Sequence, residues 1–345
     1  MKGGVTMTDR DSALESLPEG IARVFHGFPV PVKEEVSAYE CDPALRAEIE
    51  AVVGSAFPTP MGMLFRIFQD DAWGEVRDPM TTCKVMFESL CLLTEYFSYL
   101  SLVSYCEQSE VHNDNVESLL RDLRDNPKLS YGHWWRILRD TTRCFSGDNR
   151  EKHLLPEIVD FYFRSGSGKT QPYIDVFEAI PTLRNRAIGH TFGGADQSRD
   201  FVRCFRSYFY FLLDKWRFLE EYTLLTPVVA DDEDDEYPGC STPQVLLFRG
   251  ERPRAIDIVS RQPLEHQHVY LFRNGSAMPD EWAYGSGRIL EAKELCQLSP
   301  CLLHESGQQE NGDDEIAVRF DHSLQRGFAN LVDLAISRTR TTREQ

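Results

Sequence analysis

The residue types best suited to chemistry fall in one segment, Leu183-Arg184-Asn185-Arg186-Ala187-Ile188-Gly189-His190. An imidazole passes protons near neutral pH. A guanidinium offers a planar fork of donors to phosphate oxygens as charge develops on them. Spacing alone does not single the segment out, because an arginine-to-histidine spacing of this kind recurs at Arg261–His266, where Pro263 and a strand-rich setting make it a coincidence. Context favours the first copy: it ends a helical stretch, Asn185 adjoins Arg184, and another long helix follows. Residues six apart on a helix point about 120° away from each other, so Arg184 and His190 do not stack. Arg186 and His190, four apart, share a face. The structural alternative has Asn185 and His190 capping a helix end and Arg184 in an ion pair.

Other constellations are weaker. Gly166-Ser167-Gly168-Lys169-Thr170 suggests a phosphate loop, yet the earlier glycine that such a loop needs is replaced by Phe163, and the segment follows a helix instead of a strand. It reads as a connector from which Lys169 could still touch phosphate. Cys296 and Cys301, with His304, are half a zinc set lacking a second pair. His266 and His268 alternate along a strand with no further ligand evident. His133, beside Trp134 and Trp135, reads as half-buried packing in preference to a second catalytic group, and Arg136 and Arg139 could line a groove. Neither a Ser–His–Asp arrangement nor a dinucleotide fingerprint is present.

The Arg184-Asn185…His190 segment, preceded by Ser130-Tyr131-Gly132-His133-Trp134 and followed by a β-rich region, resembles the HEPN superfamily of ribonucleases in its bacterial form. The resemblance covers residues 80–225, extends loosely over 240–320 and leaves out the N-terminal segment. It implies metal-independent RNA cleavage, in which the ribose 2′-hydroxyl attacks the adjacent phosphate to leave a cyclic phosphate and a 5′-hydroxyl. Carried onto this chain, His190 would be the proton shuttle, Arg184 the phosphate clamp and Asn185 an orienting group, with Arg186 as a second cation. It also implies a homodimer that pools two copies of the motif in one cleft. Many domains of this kind have lost catalysis and serve as binding modules.

Charge limits where RNA could bind. The chain carries a net charge of −18, whereas phosphate neutralisation demands cations. The site must therefore be a local basic patch. Between Asp160 and Arg217 nine cations face six anions, a surplus of three, and Lys169, Arg186, Arg199 and Arg203 are the expected substrate contacts. The hexapeptide Asp231–Glu236 is wholly acidic and reads as a linker, or alternatively as a phosphate-mimicking tail. Nine scattered cysteines without a CxxC spacing read as reduced thiols of a cytoplasmic protein. No signal-like leader is evident, and the apolar run Val85–Tyr105 includes Glu88 and Glu95, which suits a buried helix better than a membrane span.

These groups need elements to hold them. Residues 1–78 read as an irregular extension with short helices, one of them capped by Asp42 with Pro43 in its first turn. Asp78-Pro79 starts a long helix in the same way. Further helices are expected at 116–124, 131–144, 152–163, 173–190 (interrupted or kinked at Pro181) and 198–222. The last carries an apolar stripe, Phe201, Phe205, Tyr208, Leu212, Trp216 and Leu219. Beyond the acidic run the period shortens, with strands expected at 245–248, 255–259, 269–273, 288–292, 302–304 and 316–320 and a closing helix at 325–336.

The expected fold is α+β: an extension over 1–78, a HEPN-like helical bundle over 79–226, a linker over 227–240 and an antiparallel β domain over 241–345. The expected function is a metal-independent endoribonuclease of a bacterial defence or toxin system. The alternative is an inactive adaptor or nucleotide sensor that meets protein partners through the β domain. No cofactor, metal or membrane partner is expected.

Overall fold

The computed structural model describes residues 9–59, 61–62, 64–66, 78–108, 113–125, 130–164, 168–189, 195–228, 237–265, 268–273, 281, 283–291 and 294–298. The fold is α+β. Helices α1 (Asp9–Ser16), α2 (Glu19–Gly27), α3 (Val30–Cys41), α4 (Pro43–Ala56), α5 (Pro79–Glu107), α6 (Asp114–Asp125), α7 (Tyr131–Cys144), α8 (Pro156–Tyr162), α9 (Ile174–Gly189) and α10 (Ala195–Lys215) precede strands β1 (Tyr222–Pro227), β2 (Gln244–Phe248), β3 (Arg254–Asp257), β4 (Tyr270–Arg273) and β5 (Leu295–Gln297). Two compact units emerge. One comprises Met1–Ala51, Leu64–Cys91 and Lys169–Arg217; the other comprises Val52–Met63, Leu92–Gly168 and Phe218–Gln345.

The first unit is built around α10. The expected stripe is buried along that helix, Phe201, Phe205 and Leu212 fully, and Trp216 just beyond its end is equally enclosed. Phe25 of α2 meets Phe201, Phe205 and Tyr208 with ring centroids 5.6–6.4 Å apart, and Phe87 of α5 stacks on Phe205 at 5.3 Å. Burying each such ring contributes roughly 1.5–3 kcal/mol. Helix α3 buries Val32, Val36 and Tyr39, one per turn, and the Tyr39 hydroxyl donates to Asp214 at 2.8 Å. The short N-terminal helices thus belong to the core, which an irregular extension would not. The Asp42 carboxylate accepts the amides of Ala44 and Leu45 at 2.9 and 3.2 Å, so the expected cap forms, and Asp78 accepts the Met80 amide at 3.2 Å.

In the second unit, α5 from Leu92 to Cys106 is buried apart from the half-buried Glu95. Its hydroxyls explain how so enclosed a helix stays polar inside. Ser98 donates to the Trp134 carbonyl at 2.7 Å, Thr94 pairs with the Tyr131 hydroxyl at 3.0 Å, and Ser104 accepts the Leu154 amide at 3.0 Å. Among the described residues no helix is long and apolar enough to cross a membrane. A capping box starts α7: the Ser130 amide donates to His133 Nδ1 at 3.0 Å. The segment expected to be one helix over 152–163 divides, because Pro156 opens a new first turn after a 3-10 turn at Gly147–Lys152.

The sheet is antiparallel with order β3-β2-β1-β4-β5. Its central strand corrects the expected helix over 198–222. The helix stops at Lys215, a 3-10 turn covers Arg217–Glu221, and Tyr222–Pro227 is extended. Pairing on both sides outweighs the continuing helical stripe, with Leu225 opposite Leu247 on one flank and Tyr270 on the other. One sheet face carries Leu225, Val245, Leu247, Ile256, Tyr270 and Phe272 into a core closed by Leu264 and Leu290. The strand expected at 288–292 reduces to a single parallel bridge between Leu290 and Ser260. The expected strands at 302–304 and 316–320, the helix at 325–336 and the acidic run 231–236 lie outside the described residues.

Candidate active site

Helix α9 presents the motif. Ile174, Phe177, Ile180, Leu183 and Ala187 are buried at three- and four-residue intervals, which fixes the helix against the first unit. Pro181 lies within the helix, which continues past it to Gly189 without a restart. That inward face sets the exposure of the candidate residues: Arg184 is half-buried, while Asn185 and Arg186 are exposed. His190 lies outside the described residues.

The expected phosphate contacts fare differently once their neighbours are seen. Arg186 donates to the carbonyl oxygen of Gly20 at the start of α2. A side chain at position 20 would crowd this bond, since a Cβ there would stand 2.8 Å from Arg186 Nη1. Arg199 pairs with Asp196 at 2.8 Å and Arg203 with Asp200 at 3.6 Å, each within α10, and Ser16 of α1 also binds Asp200. Arg206 lies over the Tyr210 ring at 5.9 Å, Lys215 pairs with Glu35 at 2.7 Å, and Arg217 with Glu48 at 2.7 Å. Lys169 is exposed on the loop before α9 and, like Arg164, has a partner. Among the described residues Arg184 has no hydrogen-bond, ion-pair or ring partner, whereas each of the other eight cations in this stretch has one of these. The half-buried setting raises the benefit of an anionic ligand, because water screens the charge less there.

The remaining candidates that are described have local partners or are enclosed. The His133 ring closes the α7 cap, as above. Cys296 is half-buried, and burial pushes its thiol up to about 12; Cys301 and His304 lie outside the described residues. His268 sits 3.0 Å from Glu265, His266 is outside the described residues, and no group of three or more metal-ligating side chains occurs among those described. Burial raises the Cys83 thiol to about 12 and the Cys144 thiol to about 11, which removes both as ready nucleophiles.

Sequence reasoning missed two groups. His153 is buried in the second unit, where its Nδ1 accepts the Leu155 amide at 2.9 Å and its Nε2 lies 3.0 Å from Ser101 Oγ. Glu157 accepts the Tyr222 hydroxyl at 2.8 Å and pairs with Arg273 at 3.0 Å. Burial, then the Glu157 charge, pushes the Tyr222 phenol far upward. A lone histidine between two helical stretches and a tyrosine at an unseen strand gave no periodic signal. No family model, curated protein or solved structure matches the chain.

Proposed function

We propose that this chain is a HEPN-type, metal-independent endoribonuclease whose phosphate clamp is Arg184. The observation that carries the reading is a half-buried guanidinium that has no partner among the described residues, while the neighbouring cations are engaged. In the proposed reaction His190 takes the proton of the ribose 2′-hydroxyl, whose oxygen attacks phosphorus. As the cyclic phosphate closes, the bond from phosphorus to the 5′-oxygen breaks, His190 returns its proton to that oxygen, and Arg184 stabilises the charge gathering on the phosphate oxygens. Asn185, exposed one residue on, orients the substrate. A single copy offers one clamp and one shuttle, so the reading includes a homodimer that joins two motif helices. A cytoplasmic role in bacterial defence, with the β-sheet region receiving a trigger or partner, accompanies it.

A second reading has its own support. Arg186, Arg199 and Arg203 are each held by a carbonyl or carboxylate, as in a scaffold whose charges serve its own packing. On that reading the chain is a non-enzymatic adaptor. End-labelled RNA incubated with the full chain in EDTA separates the two. Cleavage that persists in EDTA and disappears in both His190→Ala and Arg184→Gln supports the nuclease. RNA left intact by a folded dimer, or cleavage unchanged in Arg184→Gln, refutes it.

A further inference from the structure

Helix α7 lies in the second unit and carries charge that the motif does not use. Trp134, Ile137, Leu138 and Thr141 are buried, which fixes one side of the helix inward. At about 100° per residue, the opposite side gathers Arg136, Arg139 and Arg143, with Trp135 at its margin. The helix holds one acidic residue, Asp140, so it is net positive by two within a chain of net charge −18.

The arginines are arranged, not scattered. Arg139 lies over the Trp135 ring at 4.7 Å from its centroid and donates to Asp140 at 2.9 Å. Arg136 reaches the same carboxylate at 3.6 Å, so one acid is shared by two cations. Arg143 is exposed, and its guanidinium has no hydrogen-bond or ion-pair partner among the described residues. The indole nitrogen of Trp135 is enclosed and likewise makes no hydrogen bond.

We infer that this face of α7 binds single-stranded RNA. The occupant rests on the nuclease reading above; the site itself rests on charge complementarity. Successive arginines at three- and four-residue intervals lie about 4.5 and 6 Å apart along the axis, a ladder suited to an extended phosphate backbone. The Trp135–Arg139 stack presents a flat cationic plate on which a base can lie. Unstacked bases fit such a plate, whereas duplex RNA hides them.

The test uses the full chain with His190→Ala, so that no cleavage intervenes, and a fluorescent oligouridine of about a dozen nucleotides in EDTA. Arg136→Gln/Arg143→Gln leaves Arg139 on Asp140 and so preserves the buried acid's partner. At a slope of about 0.7 per phosphate on a single strand, losing two contacts lowers the salt dependence by about 1.4 and affinity about 25-fold near 0.1 M salt. Arg136→Lys/Arg143→Lys should restore the slope, which a merely misfolded glutamine variant would not predict. Binding by the glutamine variant with the wild-type slope, or by the lysine variant with the glutamine slope, overturns the site. A polyglutamate peptide competing as well as RNA of equal charge overturns the RNA assignment. Cleavage by the unsubstituted chain is scored separately, so a catalytically silent protein that still shows the slope change retains this site and loses only the nuclease.

Discussion

Ser101 on α5 and His153, fifty-two positions later, face each other at 3.0 Å inside the second unit. The Leu155 amide donates to the other ring nitrogen, so the proton resides on Nε2 and points at the serine oxygen. The ring is edge-on to Phe145 with centroids 4.9 Å apart. Burial disfavours a positive charge on this ring and lowers the pKa from 6.5 to about 3.

Because the folded pKa lies below the unfolded one, the unfolded chain takes up this proton first as pH falls. His153 therefore leaves stability unchanged above about pH 6.5 and erodes it progressively between there and about pH 3. At pH 5 the loss relative to pH 8 is about 2 kcal/mol. Urea midpoints at the two pH values test this, with His153→Gln as the comparison. The glutamine variant should be less stable at pH 8 and should lose less on acidification. Equal acid sensitivity in both proteins would sink the assignment.

Gly250, after β2, has φ +74° and donates its amide to the Phe57 carbonyl at 2.7 Å. A Cβ there would come 2.8 Å from the Gly54 carbonyl oxygen, which is backbone and cannot swing away. Gly285 has a similar φ of +85° but open space around it. Gly285→Ala should cost about 1–2 kcal/mol from backbone strain alone, and Gly250→Ala clearly more. Thermal unfolding of the two variants side by side reads the difference; equal losses would show that the close approach is unimportant.

Arg186, an expected substrate contact, donates to the Gly20 carbonyl. Arg186→Ala should lower stability by about 1 kcal/mol, since the bond is charge-assisted but exposed. Gly20→Ala should lower it too, and the double variant should fall short of the sum, because both remove one contact. On the nuclease proposal, RNA cleavage per folded molecule should be unchanged by Arg186→Ala, in contrast to Arg184→Gln. Full additivity in chemical denaturation would dissolve the proposed contact.

Asp42→Ala removes the acceptor for two amides at the start of α4 and should cost about 1 kcal/mol, while Asp42→Asn should keep most of the cap. Melting temperatures of both variants decide the matter: identical behaviour of alanine and asparagine would mean that the carboxylate does not cap.

What could be read in advance follows from the range of the forces involved. Asp42 and Asp78 announced their helices because capping is local, and the stripe from Phe201 to Trp216 announced α10 because burial repeats with the turn. Strands β2, β3 and β4 were legible as short apolar runs between breakers. Strand β1 was not, since Tyr222–Pro227 follows the stripe without a glycine or proline between them and is held extended by partners distant in sequence. At the candidate site, residue types showed which groups could do chemistry but not which were already engaged. The Asp196–Arg199 and Asp200–Arg203 pairs were nevertheless within reach, because residues three apart on a helix are neighbours. The Gly20–Arg186 bond spans 166 positions, and no local pattern encodes it.

The central placement of β1 affects the order in which the sheet is synthesised. Its Leu224-Leu225 core leaves the ribosome before β2 or β4 exists, so for a time the strand carries two bare edges. Such a strand invites pairing with another nascent chain. The six acidic residues that emerge immediately afterwards, Asp231–Glu236, are suited to gatekeeping: their mutual repulsion keeps neighbouring copies apart until the rightful neighbours arrive.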